Sequence, residues 1–255
     1  MNFQQLINHL FECYPYSCGI EGDNFGPQVG DYQKTINKVL ISLDITDDVV
    51  DEAIEMGADC ILSHHPLIYR PLKRICSEGK GRLCYKLIAN NICAVSMHTN
   101  FDAAPGGVGD RLALILGLEN ISEFGNDDGT EMLGRIGDIS PVSSREFANT
   151  VKKNLAANGL RVTFGKDISA RVAVLGGSGK SHLEKVALLG ADTYVTADCG
   201  YHDFQRAKEL GITLIDAGHF PTENHAITEF ENNLKENFPD IEVVISKHSN
   251  IIESI

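Results

Sequence analysis

The segment NKVLISLDITDDVVDEAIEMGADCILSHH, residues 37–65, decides the fold. Its first part, NKVLISLDIT (37–46), is an apolar run of the length and composition of a buried strand. DDVVDEAIEM then sets Val49, Val50, Ala53 and Ile54 on one helical stripe, with Thr46 or Asp47 to cap it and Gly57 to stop it. CILS follows as a second short strand and delivers His64 and His65. Neighbours on an extended chain point to opposite faces, so two adjacent imidazoles do not readily grip one ion. They can each serve a different one.

The same alternation runs outward from this unit. GRLCYKLIA is helical, and ICAVSM is a strand ending at His98. Strands alternating with helices at this spacing predict a mostly parallel sheet, whose ligands gather beyond the strands' carboxyl ends. Around residues 118–132 the composition turns polar and acidic (ENISEFGNDDGTEM) and reads as a linker or domain edge. SSREFANTVKKNLAANG is a helix with a capping box from Ser143 to Glu146 and a terminal Gly159. RVAVL, SHLEKVALL, GADTYVTAD, a helix near 203–210 and ITLIDAGH resume the βα pattern. A helix at about 223–236 and the strand IEVVI close it. The start, MNFQQLINHLFECYP, lacks the basic and apolar regions of a secretory signal and reads as a short amphipathic helix.

The second half echoes the first. GADCILSHH (57–65) and GADTYVTAD (190–198) each follow a helix, and each is followed by a helix and another strand. Those later strands end in MHTNFD (97–102) and GHFPTE (218–223), each holding a histidine and, four residues on, a carboxylate: His98 with Asp102, His219 with Glu223. Imidazole nitrogen with carboxylate oxygen suits divalent zinc, iron, manganese or nickel, and a carboxylate can bridge two ions. His64 and His65 are thus read as reaching toward two metal ions, with His219 and Asp102 as further ligands and Glu223 as the bridge. Because these five must meet, the expected division is a first α/β domain of residues 1–124 plus 215–255 and a second of 125–214. His98 and His202 are the candidate proton-transfer residues.

Other patterns are weaker. VLGGSGKS (174–181) resembles a phosphate-cradling loop, but that motif needs a glycine where Val174 stands. Its glycines read as a tight turn whose amides can hold an anion. Cys199 lies near His202, yet nothing in the sequence sets them as a nucleophile and base. A net charge of -13 argues against nucleic acid as the main partner, although Arg70, Lys73 and Arg74 form a local basic patch. No stretch approaches the length of a membrane span. The seven cysteines are scattered and never spaced as C-x-x-C, the pattern of a reducing cytoplasm.

EGDNFGPQVGD (21–31), LISLDIT, GADCILSHHPLIYRPLK, MHTNFDAAPGGVGDRLA, GGSGKSHLEKVALLGADTYVTAD and DAGHFPTE, in this order, resemble the Nif-three-like dinuclear-metal family, also known as GTP cyclohydrolase I type 2. The resemblance spans nearly the whole chain. It implies a pair of α/β domains and a toroidal homohexamer whose metal centres face an internal cavity. The family's ligands fall on His64, His65, Asp102, His219 and Glu223, and His98 falls behind them or joins them. Two positions depart from the family's pattern: Ala197 replaces the glycine of TGD, and Gly109 replaces an asparagine. Neither is a proposed ligand. The activity implied is metal-dependent hydrolysis of a nucleotide-like or small anionic substrate, with two zinc, iron or manganese ions per chain. A non-catalytic metal-binding regulator or scaffold is the competing implication.

Overall fold

The computed structural model describes residues 1–126 and 128–253. In chain order the elements are α1 (Phe3–Cys13), β1 (Gly26–Val29), β2 (Lys38–Ser42), α2 (Asp47–Glu55), β3 (Cys60–Ser63), α3 (Arg82–Ala89), β4 (Cys93–Ser96) and α4 (Thr99–Ala103). Then come α5 (Val108–Ile115), β5 (Glu119–Phe124), β6 (Gly134–Ser143), α6 (Ser144–Asn154), β7 (Arg161–Thr163), β8 (Ile168–Val174) and α7 (Leu183–Leu188). The rest are β9 (Thr193–Thr196), α8 (Tyr201–Leu210), β10 (Thr213–Asp216), α9 (His219–Glu223), α10 (Ile227–Asn237) and β11 (Glu242–Ile245). Among the described residues no helix is long and apolar enough to cross a membrane.

The fold is α/β, with two mixed sheets in two compact units: Met1–Ala104 with Ile227–Ser249, and Pro105–Ala226 with Asn250–Ile255. In the first unit the strand order is β1-β4-β3-β2-β11. The four strands from β4 to β11 run parallel, and β1 lies antiparallel on β4. Leu40, Ile61 and Ala94 of the sheet pack with Val49, Val50 and Ala53 of α2 and Leu87 of α3, all buried. The leucine, isoleucine and valine side chains among these each contribute about 1.5–3 kcal/mol by leaving water. The parallel register aligns the strand ends. Ser42 pairs with Ser63 and Ser63 with Ser96, so β2, β3 and β4 end level with one another. The Ser63 and Ser96 hydroxyls lie 2.8 Å apart and tie two of those ends together.

In the second unit the order is β5-β6-β8-β9-β10-β7. β8, β9 and β10 are parallel, with antiparallel strands outside them. Alternate residues feed two cores. Val172, Val174, Val195 and Ile215 face α5 and α6 through Leu112, Phe147 and Val151. Ala173, Tyr194 and Leu214 face α7 and α8 through Leu183, Val186 and Ala207.

The local signals hold where they rest on capping and apolar periodicity. Thr46 caps α2, its hydroxyl accepting from the Val49 amide at 3.3 Å, and Ser143 caps α6 by accepting from Glu146 at 3.2 Å. Departures have identifiable causes. The polar stretch after residue 118 is a strand as far as Phe124, because β5 is an edge strand that buries only Phe124; Asp127, in the same stretch, lies outside the described residues. Helix α6 stops at Asn154, with Ala156 in the left-handed region, five residues before Gly159. The helix expected at 223–236 is α9 and α10, separated by a tight turn at Asn224–Ala226.

Residues 105–124, 215–226 and those from Asn250 on belong to the second unit, whereas the sequence pattern assigns them to the first. For the first two segments the reason is pairing: β5 joins β6, and β10 lies between β9 and β7. His219 and Glu223 therefore stand in the second unit.

Leu40→Ala should cost about 2–5 kcal/mol, for a core void, and Ser143→Ala about 1 kcal/mol, for one lost cap. Urea unfolding checks both. Equal costs would contradict the burial described.

Candidate metal centre

The level ends of β2, β3 and β4 determine which side chains meet in the first unit. Asp44, His65 and His98 each stand two residues beyond the last strand residue, Ser42, Ser63 and Ser96 respectively. The strand ends at Ser63, so the alternation that would separate His64 from His65 no longer applies. Their rings lie 4.9 Å apart at 47°, and the His98 ring is 5.3 Å from His64 and 5.6 Å from His65. One nitrogen from each of the three falls within 4.8 Å of the others, a group suited to a metal ion. Asp102, one turn along α4 from His98, brings its Oδ1 to 3.5 Å from His64 Nε2. Helix α4 is too short to hold itself. Phe101 fixes it, packing 4.2 Å from Phe230 and 4.8 Å from Tyr14, while Asn100 donates to the Tyr14 carbonyl at 2.8 Å.

The second unit repeats this construction. Past β9, Asp198 takes a left-handed conformation (φ 57°), which aspartate tolerates better than most residues. Past β10, Gly218 at φ 88° turns the chain into α9. His219 Nδ1 then meets Asp198 Oδ2 at 2.8 Å, and His219 Nε2 lies 3.1 Å from Glu223 Oε2 one turn later. Glu223 is buried, at 4% exposure. The GGSGKS turn is its cradle: a Cβ on Gly177 (φ 60°) would collide with Glu223 Oε1 and sit 3.1 Å from His219 Nε2. These glycines make room for a carboxylate of the protein itself.

A common pattern joins these histidines. His64 Nδ1 bonds the Met97 carbonyl at 2.9 Å, His65 Nδ1 bonds Asp44 at 2.7 Å, His98 Nδ1 bonds Asp23 at 2.8 Å and His219 Nδ1 bonds Asp198 at 2.8 Å. Such acceptors accept a hydrogen bond from Nδ1–H and leave Nε2 as the lone-pair donor, the usual support of a metal-bound imidazole. Burial raises the Asp23 carboxyl, but hydrogen bonds from His98 and Thr99 outweigh it and hold the pKa below the ordinary value. Asp23 thus stays ionised beside its histidine. Asp23, Asp44 and Asp198 escape sequence reasoning, although EGDN, LISLDIT and TAD contain them; Asp44 and Asp198 each stand two residues past a strand end, a signal that could have found them, whereas Asp23 lies in the loop before β1.

His202 is exposed at the start of α8 with its ring 5.4 Å from Tyr201, and among the described residues no hydrogen bond or ion pair ties it to His219 or Glu223. Cys199 is no nucleophile: burial, then Asp216 and Asp203, push its thiol up to about 12.

The sequence profile of the family described as Duf34/NIF3 (NGG1p interacting factor 3) matches residues 1–251. A Clostridium perfringens protein named GTP cyclohydrolase 1 type 2 homolog is 34% identical, covering 98% of this chain and 97% of its own. A protein of that name from Methanocaldococcus jannaschii is 34% identical over 96% of this chain and 98% of its own. Among solved structures, the Staphylococcus aureus hypothetical protein SA1388 superposes with a TM-score of 0.91 at 29% identity, covering 100% of this chain and 99% of that one. Reduced HcgD from Methanocaldococcus jannaschii gives 0.86 at 32% identity, covering 97% and 98%.

Two outcomes test the geometry. Gly177→Ala should lose about 1 kcal/mol or more of stability, since alanine is strained at that φ and displaces Glu223; an unchanged urea midpoint would contradict the cradle. With a thiol reagent at neutral pH, exposed Cys76 should react first and Cys199 only on unfolding. Fast Cys199 labelling in the folded protein would refute its inert assignment.

Proposed function

The chain belongs to the Duf34/NIF3 family, and on that premise we propose that it is a metal-dependent hydrolase with a dinuclear centre, acting on a nucleotide-like or other small anionic substrate. The observation that carries this is the pinning of His64, His65 and His219 at Nδ1, which leaves their Nε2 atoms for a ligand. His64, His65, Asp102, His219 and Glu223 are the residues that would hold the ions, and the Glu223 carboxylate would be the group able to serve both. This nitrogen and oxygen set accepts zinc, iron or manganese. Bound divalent ions supply Lewis acidity and bring the pKa of a bound water toward neutrality.

The protein's own groups do the remaining work. Asp44 and Asp198 fix the tautomer and orientation of His65 and His219. His98, backed by Asp23, holds and passes the proton at Nε2; His202, placed outside the cluster, is the lesser candidate. The name GTP cyclohydrolase 1 type 2 homolog carried by relatives suggests water adding at the purine C8 of GTP. Water adding at phosphorus is the phosphohydrolase form of the same chemistry. The family resemblance further supports a homohexamer, and the free, scattered thiols support a cytoplasmic setting.

Mass spectrometry of protein purified without added metal should find about two divalent ions per chain. That content should fall in His65→Ala and in Glu223→Gln, and Asp44→Asn should weaken metal affinity by about 10–100-fold. Glu223→Gln should also abolish turnover of GTP or other phosphate substrates while the circular dichroism spectrum stays unchanged. Protein that takes up no metal even on reconstitution would overturn the ligand assignment. Full metal content with no turnover of any substrate would leave the metal-binding scaffold reading in its place.

A further inference from the structure

The cation distribution around the first unit is uneven. Lys34 pairs with Asp59 at 3.4 Å, Lys38 with Glu242 at 3.0 Å, Lys86 with Asp51 at 2.5 Å, and Arg82 with Asp47. The loop between His65 and α3 is different. It carries Arg70, Lys73, Arg74 and Lys80, all exposed, and among the described residues no carboxylate lies within ion-pair distance of any of them. On a chain of net charge -13, four loop cations held in no ion pair, with Glu78 the one carboxylate lining the cavity beside Lys73, Arg74 and Lys80, are available to an anion.

The loop also borders open space. A cavity of about 360 Å³ is lined by Glu21, Asp23, Tyr69, Arg70, His98 and Thr99 among others, and a larger one of about 920 Å³ by Lys73, Arg74 and Lys80 with their loop neighbours. Both volumes suit a small organic ligand. Tyr69 is 66% exposed, and its ring stands perpendicular to that of His98 with centroids 6.5 Å apart. A large aromatic ring left open to water beside buried functional groups is a stacking platform for another ring. The lining is mixed in charge, which argues against a bare anion: Asp23 is engaged by His98 and Thr99, and Glu21 offers an acceptor for ring N–H groups.

We propose that the smaller cavity is the recognition subsite for a phosphorylated planar heterocycle, with the ring on Tyr69, its N–H edge toward Glu21 and its phosphate on Arg70, the loop cation that lines it. A guanidinium suits this role because its planar fork engages two phosphate oxygens at once. The assignment deepens the hydrolase reading, resting on it for the placement of His98 beside the reacting bond. Binding itself belongs to first-unit side chains alone, so it can be measured without metal.

Metal-free protein, prepared with a chelator, would be titrated calorimetrically with GTP, ATP, guanosine and inorganic triphosphate. At least one of the nucleotides should bind more tightly than either fragment. Arg70→Ala and Tyr69→Ala should each weaken it by about tenfold or more, and Lys152→Ala, on exposed α6 surface, should change nothing. These side chains are exposed, so an unchanged circular dichroism spectrum is expected in every variant. Unchanged affinity in both Arg70→Ala and Tyr69→Ala overturns the subsite, as does an absence of nucleotide binding in metal-free and metal-loaded protein alike. Triphosphate binding as tightly as the nucleotides also overturns it, because the ring would then contribute nothing. Nucleotide binding that depends on Arg70 and Tyr69 in a protein that never takes up metal sustains the subsite while removing the dinuclear centre.

Discussion

An imidazole has two ring nitrogens, and a protein that wants one of them as a donor must occupy the other. Everything distinctive in this chain follows from meeting that requirement repeatedly. In the first unit the acceptor for His65 is Asp44, brought to 2.7 Å because β2 and β3 run parallel and end level. The His64 acceptor is the Met97 carbonyl, just past the equally level end of β4. A register shift of one residue would turn these groups to the other face and leave buried ring nitrogens to find new partners. The hydrogen-bond ladder is therefore also the ruler that sets the site.

The second unit reaches the same arrangement with different local means. Its aspartate, Asp198, stands two residues past β9 as Asp44 does past β2, but at the expense of a left-handed backbone. Its carboxylate, Glu223, is buried and needs a bare backbone opposite it, which Gly177 provides. Both units then place histidine and carboxylate four residues apart around a five-residue helix, α4 or α9. Such helices have little stability of their own. In the first unit the aromatic contacts of Phe101 with Tyr14 and Phe230 supply it.

Much of this was readable from the sequence, for physical reasons. Buried parallel strands are short apolar runs, so β2, β3, β4, β8, β9 and β10 announce themselves, and the histidines fall at their ends. Edge strands do not. β1 and β7 carry no distinct pattern, and β5 buries only Phe124 in a stretch that composition makes look like a linker. The unit boundaries slipped for the same reason, since it is the pairing of β5 and β10 that assigns residues 105–124 and 215–226. The aspartate supports were hidden by distance along the chain: His98 lies 75 residues from Asp23, and His65 and His219 each lie 21 from theirs. No local periodicity reports such a bond.

The strand order of the first unit also bears on how the protein is made. β11, from Glu242–Ile245, pairs with β2, whose own residues are translated some two hundred positions earlier. The ribosome therefore delivers every strand of the second sheet before the first sheet has its last one. Until then β2 presents an open edge, the kind of surface on which neighbouring nascent chains can add. The Asp44 support lies just beyond that edge, and His248, at 3.7 Å from Asp44, arrives later still. In biogenesis the sheet that begins first is completed last.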